Sequence, residues 1–284
     1  MKRILTVQDI SCVGKCSLTV ALPIISAAGV ETAVLPTAVL STHTGFPKFT
    51  FRDLTDELDP IKDTFRELSL DFDALYTGYL GSFEQIDFID RFLGESCTSD
   101  TFVQIDPVMA DHGVLYKGFT QAFADRMAKL CGKADLIIPN LTEASFMLHI
   151  PYREEYDEAY VREVLVKLCD LGARCAAITG ISLREGRIGV YSYCAENGEF
   201  FFYDNEKLAE SYHGTGDVFA SSALGGIMRG LSINDSLRLA VDYTLETMRF
   251  TMRDENRRFY GVNFEEALPT YIESLNRMCE EKRN

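Results

Sequence analysis

The stretch Tyr212-His-Gly-Thr-Gly-Asp-Val-Phe-Ala220 contains the residues whose types and spacing are best suited to chemistry. Two glycines and a threonine come directly before an apolar segment that predicts a helix. The first N–H groups of a helix lack partners within it, and glycine lets an anion approach the backbone closely. These groups, at the positive end of the helix dipole, are suited to bind a phosphoryl group. The sequence therefore predicts an anion site at Gly214, Thr215 and Gly216.

Asp217 follows the two glycines and falls in the first turn of the same predicted helix. Beside a phosphoryl group, its carboxylate can accept the proton of an attacking hydroxyl, which phosphoryl transfer requires. The alternative is that Asp217 only caps the helix, a role worth about 1 kcal/mol. For an isolated Gly-x-Gly-Asp motif the capping role is the better interpretation, so the rest of the chain must decide between them.

Apolar, β-branched runs alternate with segments of helical period and predict the elements that position these residues. The predicted strands are 4–7, 32–35, 74–77, 102–105, 135–138 and 175–178, and the predicted helices begin near 17 or cover 51–68, 82–93, 119–131, 141–148 and 158–171. Strands separated by helices of this length indicate right-handed βαβ crossovers and a mostly parallel sheet with helices on both faces. Segment 8–15 is predicted to be a loop, and Asp59-Pro60 to break the helix 51–68.

The pattern changes after residue 186. Residues 188–194 and 199–203 are apolar and aromatic, and Asn197-Gly198 between them predicts a β-hairpin with a two-residue turn. Three helices are predicted to follow, at about 217–229, 233–252 and 264–279. Because the sequence contains no internal repeat and no flexible linker, we expect one domain over residues 1–284.

The composition excludes several functional classes. The chain has 284 residues, of which 46% are hydrophobic and 25% charged, and this excludes disorder, collagen and coiled coil. Its 43 acidic and 28 basic residues give a net charge of −15, which repels nucleic-acid phosphates and anionic lipid headgroups. We therefore expect no nucleic-acid and no membrane partner. A local cluster of backbone N–H groups can still bind a small anion.

The cysteines and histidines predict neither a disulfide framework nor a transition-metal site. The eight cysteines include no Cys-x-x-Cys pair, and most of them lie among apolar residues, which indicates reduced thiols in a cytoplasmic protein. The four histidines are dispersed and lack metal-ligand spacing. No charged-then-apolar leader precedes the first strand, and no apolar run approaches the ~18 residues of a membrane span.

An ordered set of segments along the whole chain resembles the pyridoxal kinases of the ribokinase superfamily. The matching segments are Val7-Gln-Asp9 with Gly14, Ser41-Thr-His-Thr44-Gly45, Tyr76-Thr-Gly-Tyr79, Asp106-Pro-Val-Met109 with Asp111, Asn140-Leu-Thr-Glu143, Ile178-Thr179 and Gly214-Thr-Gly-Asp217. The resemblance implies a ribokinase-like three-layer α/β/α sandwich with a mostly parallel central sheet and a C-terminal β-hairpin and helices. It also implies that a cytoplasmic homodimer transfers the γ-phosphate of ATP to the 5′-hydroxymethyl group of pyridoxal, pyridoxine or pyridoxamine.

The resemblance implies catalytic and metal-binding roles. Asp217 would be the general base, and the amides of Gly214, Thr215 and Gly216 would stabilise charge on the transferred phosphoryl group. Asp106 and Glu143 would organise Mg²⁺ near the ATP phosphates, since Mg²⁺ prefers oxygen ligands and keeps several waters. Taken alone, Asp106 is a strand-ending Asp-Pro turn and Glu143 is a charge at a helix start.

Further positions match the nucleotide-binding segments of the family. Asp111 and Tyr116 correspond to positions near the nucleotide phosphates and a monovalent-cation site, such as one for K⁺. Thr179 corresponds to a threonine that contacts ATP. His213, beside the glycine loop, is interpreted as lining the nucleotide or substrate pocket.

On the vitamin side, the resemblance implies that Asp9, Thr44, Gly45 and Tyr79 bind the substrate together with Asp217, with His43 at the edge of the loop. Thr44 can hydrogen-bond ring substituents, and Tyr79 can cover the pyridine face. Position 9 departs from the family, whose pyridoxal kinases carry serine there. A carboxylate can pair with a protonated pyridine nitrogen or with the amine of pyridoxamine. It is also similar to the hydroxyl-binding aspartate of sugar and nucleoside kinases.

Two other functions stay open on the sequence. The first is a kinase of the same superfamily that acts on hydroxymethylpyrimidine or another small alcohol, which Asp9 permits. The second is a non-catalytic protein that binds a B6 vitamer and keeps the fold. The intact Asp217 with both glycines argues against the second function, because a pure binder needs no base there.

Overall fold

The computed structural model describes residues 1–282, which form eleven strands and nine helices. The strands are β1 (Arg3–Val13), β2 (Glu31–Thr42), β3 (Phe51–Asp53), β4 (Ala74–Thr77), β5 (Phe102–Ile105), β6 (Ala110–Asp111), β7 (Val114–Leu115), β8 (Leu136–Ile137), β9 (Cys175–Ile181), β10 (Arg187–Cys194) and β11 (Glu199–Glu206). The helices are α1 (Leu18–Ala27), α2 (Thr55–Glu67), α3 (Phe83–Ser96), α4 (Gln121–Cys131), α5 (Leu141–Met147), α6 (Glu158–Asp170), α7 (Thr215–Met228), α8 (Ile233–Arg253) and α9 (Phe264–Glu281).

The chain forms two compact units. The first combines Met1–Leu54 with Asn205–Asn284, and the second is Thr55–Asp204. The first unit is therefore built from both ends of the chain. The single kinase domain over residues 1–284 stays a prediction.

The first unit contains a short sheet and four helices. β1 pairs with β2 in parallel, and β3 pairs with β2 antiparallel. β1 is buried almost continuously from Ile4 to Ser11, as expected for a parallel strand that is covered on both faces. Helix α7 packs against α1 and α8, and α8 packs against α9. Nine residues of α7 are buried, so its small residues lie at the centre of this unit's helical layer.

The second unit contains strands in the order β11-β10-β9-β8-β5-β4. The pairs β4–β5, β5–β8 and β8–β9 are parallel, and β9–β10 is antiparallel. Each of four helices begins at a side chain that accepts a hydrogen bond from the amide three residues on, and these N-cap residues are Ser82, Thr120, Asn140 and Asp157. The predicted mixed α/β class with a mostly parallel sheet is confirmed, as are the hairpin β10–β11 and helices α7–α9.

No helix within residues 1–282 combines the length and the apolar character that crossing a membrane would require.

Two predicted boundaries near the N-terminus are wrong. Segment 8–15, predicted as a loop, is strand as far as Val13, because β2 pairs with it there; the pairing register shifts between Gln8 and Ile10, around Asp9. The predicted helix 51–68 is instead β3 followed by α2, and Pro60 lies inside α2 without breaking it.

The tip of the hairpin also differs from its prediction. Residues 195–198 form a four-residue loop between β10 and β11, closed by the amide of Gly198, which donates to the Cys194 carbonyl at 2.9 Å. Gly198 has φ 70°, so Asn197-Gly198 does mark the reversal. The dipeptide alone indicates a two-residue turn. The observed turn is longer, because β10 ends at Cys194 and β11 begins only at Glu199.

The prediction that all cysteines are reduced is wrong for one pair. Cys175 and Cys194 lie opposite each other on the antiparallel strands β9 and β10 and form a disulfide. They are 19 residues apart in sequence, and only the pairing of the two strands brings them together. The other six cysteines are free.

The start of α7 packs on the loop between β1 and α1. Gly214, the N-cap of α7, has φ 80°, and a Cβ there would lie 1.8 Å from the carbonyl oxygen of Lys15. Lys15 is itself held at the start of α9, because its Nζ donates to Asn263 Oδ1 at 3.2 Å and to Glu265 Oε2 at 2.8 Å. Position 214 therefore requires glycine for its backbone conformation and for its packing.

We expect Gly214→Ala to lower the melting temperature. The left-handed backbone alone costs an alanine about 1–2 kcal/mol, and the contact with Lys15 adds to that cost. Gly216→Ala is the matched control, because a Cβ there would meet nothing within 4 Å. Its melting temperature should be unchanged or higher, since alanine favours the helix by roughly 0.5–1 kcal/mol. Equal melting temperatures for the two variants would contradict the close packing of Gly214 against the Lys15 carbonyl.

Asp204 links β11 to the loop before β10. Its side chain is only 2% exposed, and it accepts hydrogen bonds from Arg184 Nη2 at 2.6 Å and from Arg187 Nη2 at 2.7 Å. Burial raises the pKa of this carboxyl. The hydrogen bonds from Arg187 and Arg184 lower the pKa by more than burial raises it, so the net shift is downward. A lowered pKa means that the ionised carboxylate stabilises the folded state.

We expect Asp204→Asn to reduce the free energy of unfolding by about 1.5–3 kcal/mol at pH 7, the usual value of a hydrogen bond to a charged group. The stabilisation is fully present above the unfolded pKa of about 4 and is lost as pH falls through the folded pKa. The difference between variant and wild type should therefore shrink in urea titrations well below pH 4. Asp63→Asn, in an exposed pair with Arg66, should change the free energy by less than about 1 kcal/mol at either pH.

Candidate active site

The predicted site residues divide between the two units. In the first unit are Asp9, Thr44, Gly45, His213, Gly214, Thr215, Gly216 and Asp217, and in the second are Tyr79, Asp106, Asp111, Tyr116, Glu143 and Thr179.

Helix α7 begins at Thr215, with Asp217 in its first turn, as the sequence predicts. Gly214 is the N-cap and supplies no side-chain cap. Gly216 is exposed, and the space beside its Cα is open to 4 Å. The first amides of α7 are therefore accessible to an anion at the positive end of the helix dipole.

Asp217 does not act as the helix cap. Its half-buried carboxylate lies beside the backbone amide of Ser17, on the loop before α1. Burial raises the pKa of Asp217 to about 6, the Ser17 amide opposes the rise, and the negative charge of Asp9 adds to it. A carboxylate with a pKa near 6 is mostly ionised at pH 7 and is more basic than an ordinary aspartate, which suits a general base.

Asp9 is buried, at 5% exposure, at the irregularity in the β1–β2 pairing. Its Oδ1 accepts from Ser17 Oγ at 2.6 Å, and its Oδ2 accepts from Ser11 Oγ at 3.3 Å. Burial raises the pKa of Asp9, and the two hydroxyls partly offset that rise. Burial raises the pKa of the Cys16 thiol to about 12, and the negative charges of Asp217 and Asp9 add to the rise. Cys16 is therefore an un-ionised packing residue.

Ser17 is a functional candidate that the sequence analysis missed. It has φ 52° and ψ −134°, a backbone conformation that costs a non-glycine residue about 1–3 kcal/mol. A serine before an apolar helix predicts an ordinary N-cap, yet its hydroxyl makes no cap bond and donates to Asp9 instead. No sequence signal distinguishes this serine from a capping one.

The Thr44-Gly45 turn is exposed and is held by His43. The ring of His43 is buried, its Nε2–H donates to the Tyr260 carbonyl at 3.1 Å, and its Nδ1 accepts from the Gly45 amide at 3.0 Å. Burial lowers the pKa of His43, so the imidazole is neutral and its tautomer is fixed. His43 was predicted at the loop edge, but it is the buried anchor of that loop.

Aromatic rings border this turn. His213 lies with its ring centroid 5.3 Å from that of His43, and Phe46 lies 4.8 Å from Phe259 and 5.3 Å from Tyr260. The sequence analysis missed Phe46, Phe259 and Tyr260, because the last two lie more than 200 residues from the turn. These rings give an apolar edge beside the exposed Thr44 hydroxyl, as a ligand with a flat ring requires.

In the second unit, Glu143 is buried in a capping box at the start of α5. Its Oε2 accepts from the Asn140 amide at 2.8 Å, and its Oε1 accepts from the Met109 amide at 3.1 Å. Burial raises the pKa of Glu143, these amides and that of Ala110 oppose the rise, and the charge of Asp111 adds to it. Glu143 is therefore more than a surface charge at a helix start.

Asp106 directly follows β5, as predicted, and its amide donates to the Thr77 carbonyl at 2.9 Å. Within residues 1–282, no three His, Cys, Asp or Glu side chains converge into a complete metal site. Mg²⁺ commonly binds through one or two carboxylates and keeps its waters, so Asp106 and Glu143 fit it chemically. Because three amides already use the Glu143 oxygens, Glu143 fits contact through a water better than direct contact.

The remaining predicted residues lie around α5 and Phe119. Thr179, on β9, is half-buried, and its amide donates to the Pro139 carbonyl at 3.0 Å, beside the start of α5. Tyr79 is half-buried, with its ring 5.7 Å from that of Phe119. Asp111 and Tyr116 are exposed. The structure thus brings Thr179 close to the helix start that carries Glu143.

Comparison with known proteins finds relatives that match nearly the whole chain. The family model described as phosphomethylpyrimidine kinase matches residues 25–259. A candidate phosphomethylpyrimidine kinase from Bacteroides thetaiotaomicron, solved in a crystal form with pyridoxal, is 37% identical, with a TM-score of 0.91 and 95% of each chain covered. The pyridoxal kinase of Lactobacillus plantarum is 31% identical, with a TM-score of 0.89 and 98% of each chain covered. The pyridoxal kinase of Arabidopsis thaliana is 25% identical over 91% of this chain and 85% of its own.

The matches extend over nearly the whole chain, and they confirm the resemblance that the ordered motifs predicted. Two of the solved relatives exceed 30% identity. The chain therefore belongs to the phosphomethylpyrimidine and pyridoxal kinase family of ribokinase-like proteins.

Proposed function

We propose that this protein is an ATP-dependent kinase that phosphorylates the 5′-hydroxymethyl group of a B6 vitamer. The observation that carries the proposal is Asp217, a carboxylate in the first turn of α7 that does not cap its helix. Its raised pKa suits a proton acceptor. The relatives that are pyridoxal kinases, and the one solved with pyridoxal, support the choice of substrate.

Asp217 would accept the proton of the substrate hydroxyl as that oxygen bonds to the γ-phosphorus of ATP, while the bond from the γ-phosphorus to the oxygen of the β-phosphate breaks and ADP leaves. The amides of Gly214, Thr215 and Gly216 would donate to the oxygens of the transferred phosphoryl group. Such donors stabilise charge that develops in the transition state, and a fixed helix start needs no reorganisation to supply them. A non-catalytic binder would need neither feature.

The predicted metal- and nucleotide-binding residues lie in the second unit. Asp106 would hold Mg²⁺ and Glu143 would bind one of its waters, and the ion would neutralise charge on the phosphate oxygens. Asp111, Tyr116 and Thr179 would contact the nucleotide or a monovalent cation such as K⁺. A cytoplasmic homodimer belongs to the same proposal, on family resemblance alone.

On the substrate side, Thr44, Gly45 and Tyr79 would contact the pyridine ring and its substituents, with His213 lining the pocket. Asp9 was predicted to contact the substrate directly.

The description of the matching family also supports a second candidate function, the phosphorylation of hydroxymethylpyrimidine or its monophosphate.

A panel of alcohols separates the two functions. We expect ADP release with ATP, Mg²⁺ and pyridoxal, pyridoxine or pyridoxamine at a kcat/KM well above that for hydroxymethylpyrimidine and its phosphate. The product should be the 5′-phosphate by mass spectrometry. A pyrimidine substrate that exceeds every vitamer in kcat/KM would overturn the proposal in favour of the second function.

Asp217→Asn tests the base. The amide keeps an oxygen for the Ser17 amide but cannot accept the hydroxyl proton, so kcat should fall roughly 10²- to 10⁴-fold with little change in melting temperature. Wild-type kcat should rise with pH through about 6, as Asp217 ionises. This dependence should be absent from the variant.

Asp235→Asn is the matched control, because Asp235 occupies the equivalent position in the first turn of α8, three residues after the N-cap Ser232. It should keep wild-type kcat. An Asp217→Asn protein that is folded and turns over like wild type would remove Asp217 from the mechanism.

A further inference from the structure

Ser17 has a backbone conformation that needs an external anchor. Among residues 1–282, four non-glycine residues have positive φ: Ser17, Ser69, His112 and His149. The other three are exposed, whereas Ser17 is buried and is followed directly by a helix. Since a serine leaves this conformation readily, something in the surroundings must hold it there.

Asp9 is the group that holds the side chain of Ser17. The 2.6 Å hydrogen bond from Ser17 Oγ goes to a buried carboxylate, and charge-assisted bonds of this kind are short and strong. Asp9 lies where the β1–β2 register shifts, and such irregularities re-aim a side chain. Ser11 donates to the second carboxylate oxygen, so Asp9 is fixed from two sides.

The backbone of Ser17 reaches the candidate base. Its amide lies beside the Asp217 carboxylate and lowers the pKa of that carboxyl, while the carbonyl of Lys15, two residues earlier, lies against Gly214. The loop before α1 thus touches the first turn of α7 at the N-cap and at the base. A change in the backbone angles of Ser17 would move this amide away from Asp217.

We propose that Asp9 is a positioning residue, which holds Ser17 in its left-handed conformation so that the Ser17 amide orients the Asp217 carboxylate for proton transfer. The catalytic part of this proposal rests on the proposed function. A serine at position 9 could also accept a hydrogen bond from Ser17, but it would carry no charge to strengthen that bond. Direct contact between Asp9 and the substrate is the competing role.

The test is a rescue experiment. Asp9→Ala removes the anchor, and kcat should fall roughly 10- to 100-fold, as expected when a catalytic group is misplaced by a fraction of an ångström. KM for pyridoxal should change much less than kcat. Ser17→Gly, added to Asp9→Ala, should recover a large part of the lost kcat, because glycine adopts the Ser17 conformation without an anchor. Ser17→Ala, added instead, should recover nothing.

Asp9→Asn separates position from charge. Asparagine keeps an oxygen that accepts from Ser17 Oγ, so it should lose less kcat than Asp9→Ala with every vitamer. If Asp9 binds the substrate, Ser17→Gly will not rescue Asp9→Ala, and the loss will fall on KM for pyridoxamine. Either of those two results would overturn the proposal.

The pH profile adds a readout that a merely structural role would not move. The titratable groups near Asp217 in this unit are Asp9 and Cys16, with His43 beside Asp9 and His213 beside His43. Ser17→Ala removes the hydroxyl that Asp9 holds, so the backbone amide of residue 17 should move away from Asp217. The acid limb of kcat should then shift to higher pH, because the amide favours the ionised carboxylate. An acid limb that stays in place would contradict the proposal.

Thermal unfolding tests the anchor without any assay of activity. Asp9→Ala and Ser17→Ala should each lower the melting temperature, and the double variant should lose clearly less than the sum of the two losses, because both remove the same bond. Strictly additive losses would overturn the proposal. If the wild type phosphorylates no alcohol, the proposed function fails, and this cycle still decides whether Asp9 holds Ser17.

Discussion

The close contact between the Lys15 carbonyl and Gly214 is the constraint on which the first unit's candidate residues depend. No side chain fits at position 214. The backbone of the loop before α1 therefore packs directly against the backbone at the start of α7. That approach lets the Ser17 amide reach Asp217. Lys15 is fixed in turn by its ion pair with Glu265 on α9. The loop that carries Ser17 is thus held by α7 and α9, helices from a much later part of the chain, and residues 1–54 form one compact unit with residues from Asn205 onward.

The buried Asp9 and the half-buried Asp217 have surroundings of different kinds. Asp9 accepts hydrogen bonds from two serine hydroxyls, whereas Asp217 has the backbone amide of Ser17 beside it. The negative charge of Asp9 raises the pKa of Asp217, because like charges disfavour ionisation. With few donors, Asp217 retains a pKa near 6, a compromise between ionisation at neutral pH and basicity. A carboxylate that accepted more hydrogen bonds would be a weaker base, so the small number of donors suits the proposed role of Asp217.

The sequence predicted the α/β class, most of the elements and the start of α7 with Asp217, since periodicity and glycine spacing are local signals. It missed the strand at 8–13, because Gln8, Asp9 and Ser11 are polar and read as a loop, although they are buried in β1. It missed the Cys175–Cys194 pair, which depends on the pairing of β9 with β10. It also missed Ser17, because its identity is that of a common N-cap and only its backbone angles reveal the strain. Each failure concerns tertiary contacts that no local pattern encodes.

Two of these missed features, the strand at 8–13 and the conformation of Ser17, lie side by side, because Asp9 in the strand accepts a hydrogen bond from Ser17. A strand that buries Asp9 and Ser11 departs from ordinary strand composition, and a serine with positive φ departs from ordinary helix starts. Natural sequences keep such local conflicts mainly where function compensates for them. A serine at position 9 would offer a weaker acceptor to Ser17 than a carboxylate does. In this proposal the buried carboxylate of Asp9 and the strain at Ser17 therefore form one feature, in which the charged acceptor offsets the cost of the backbone conformation.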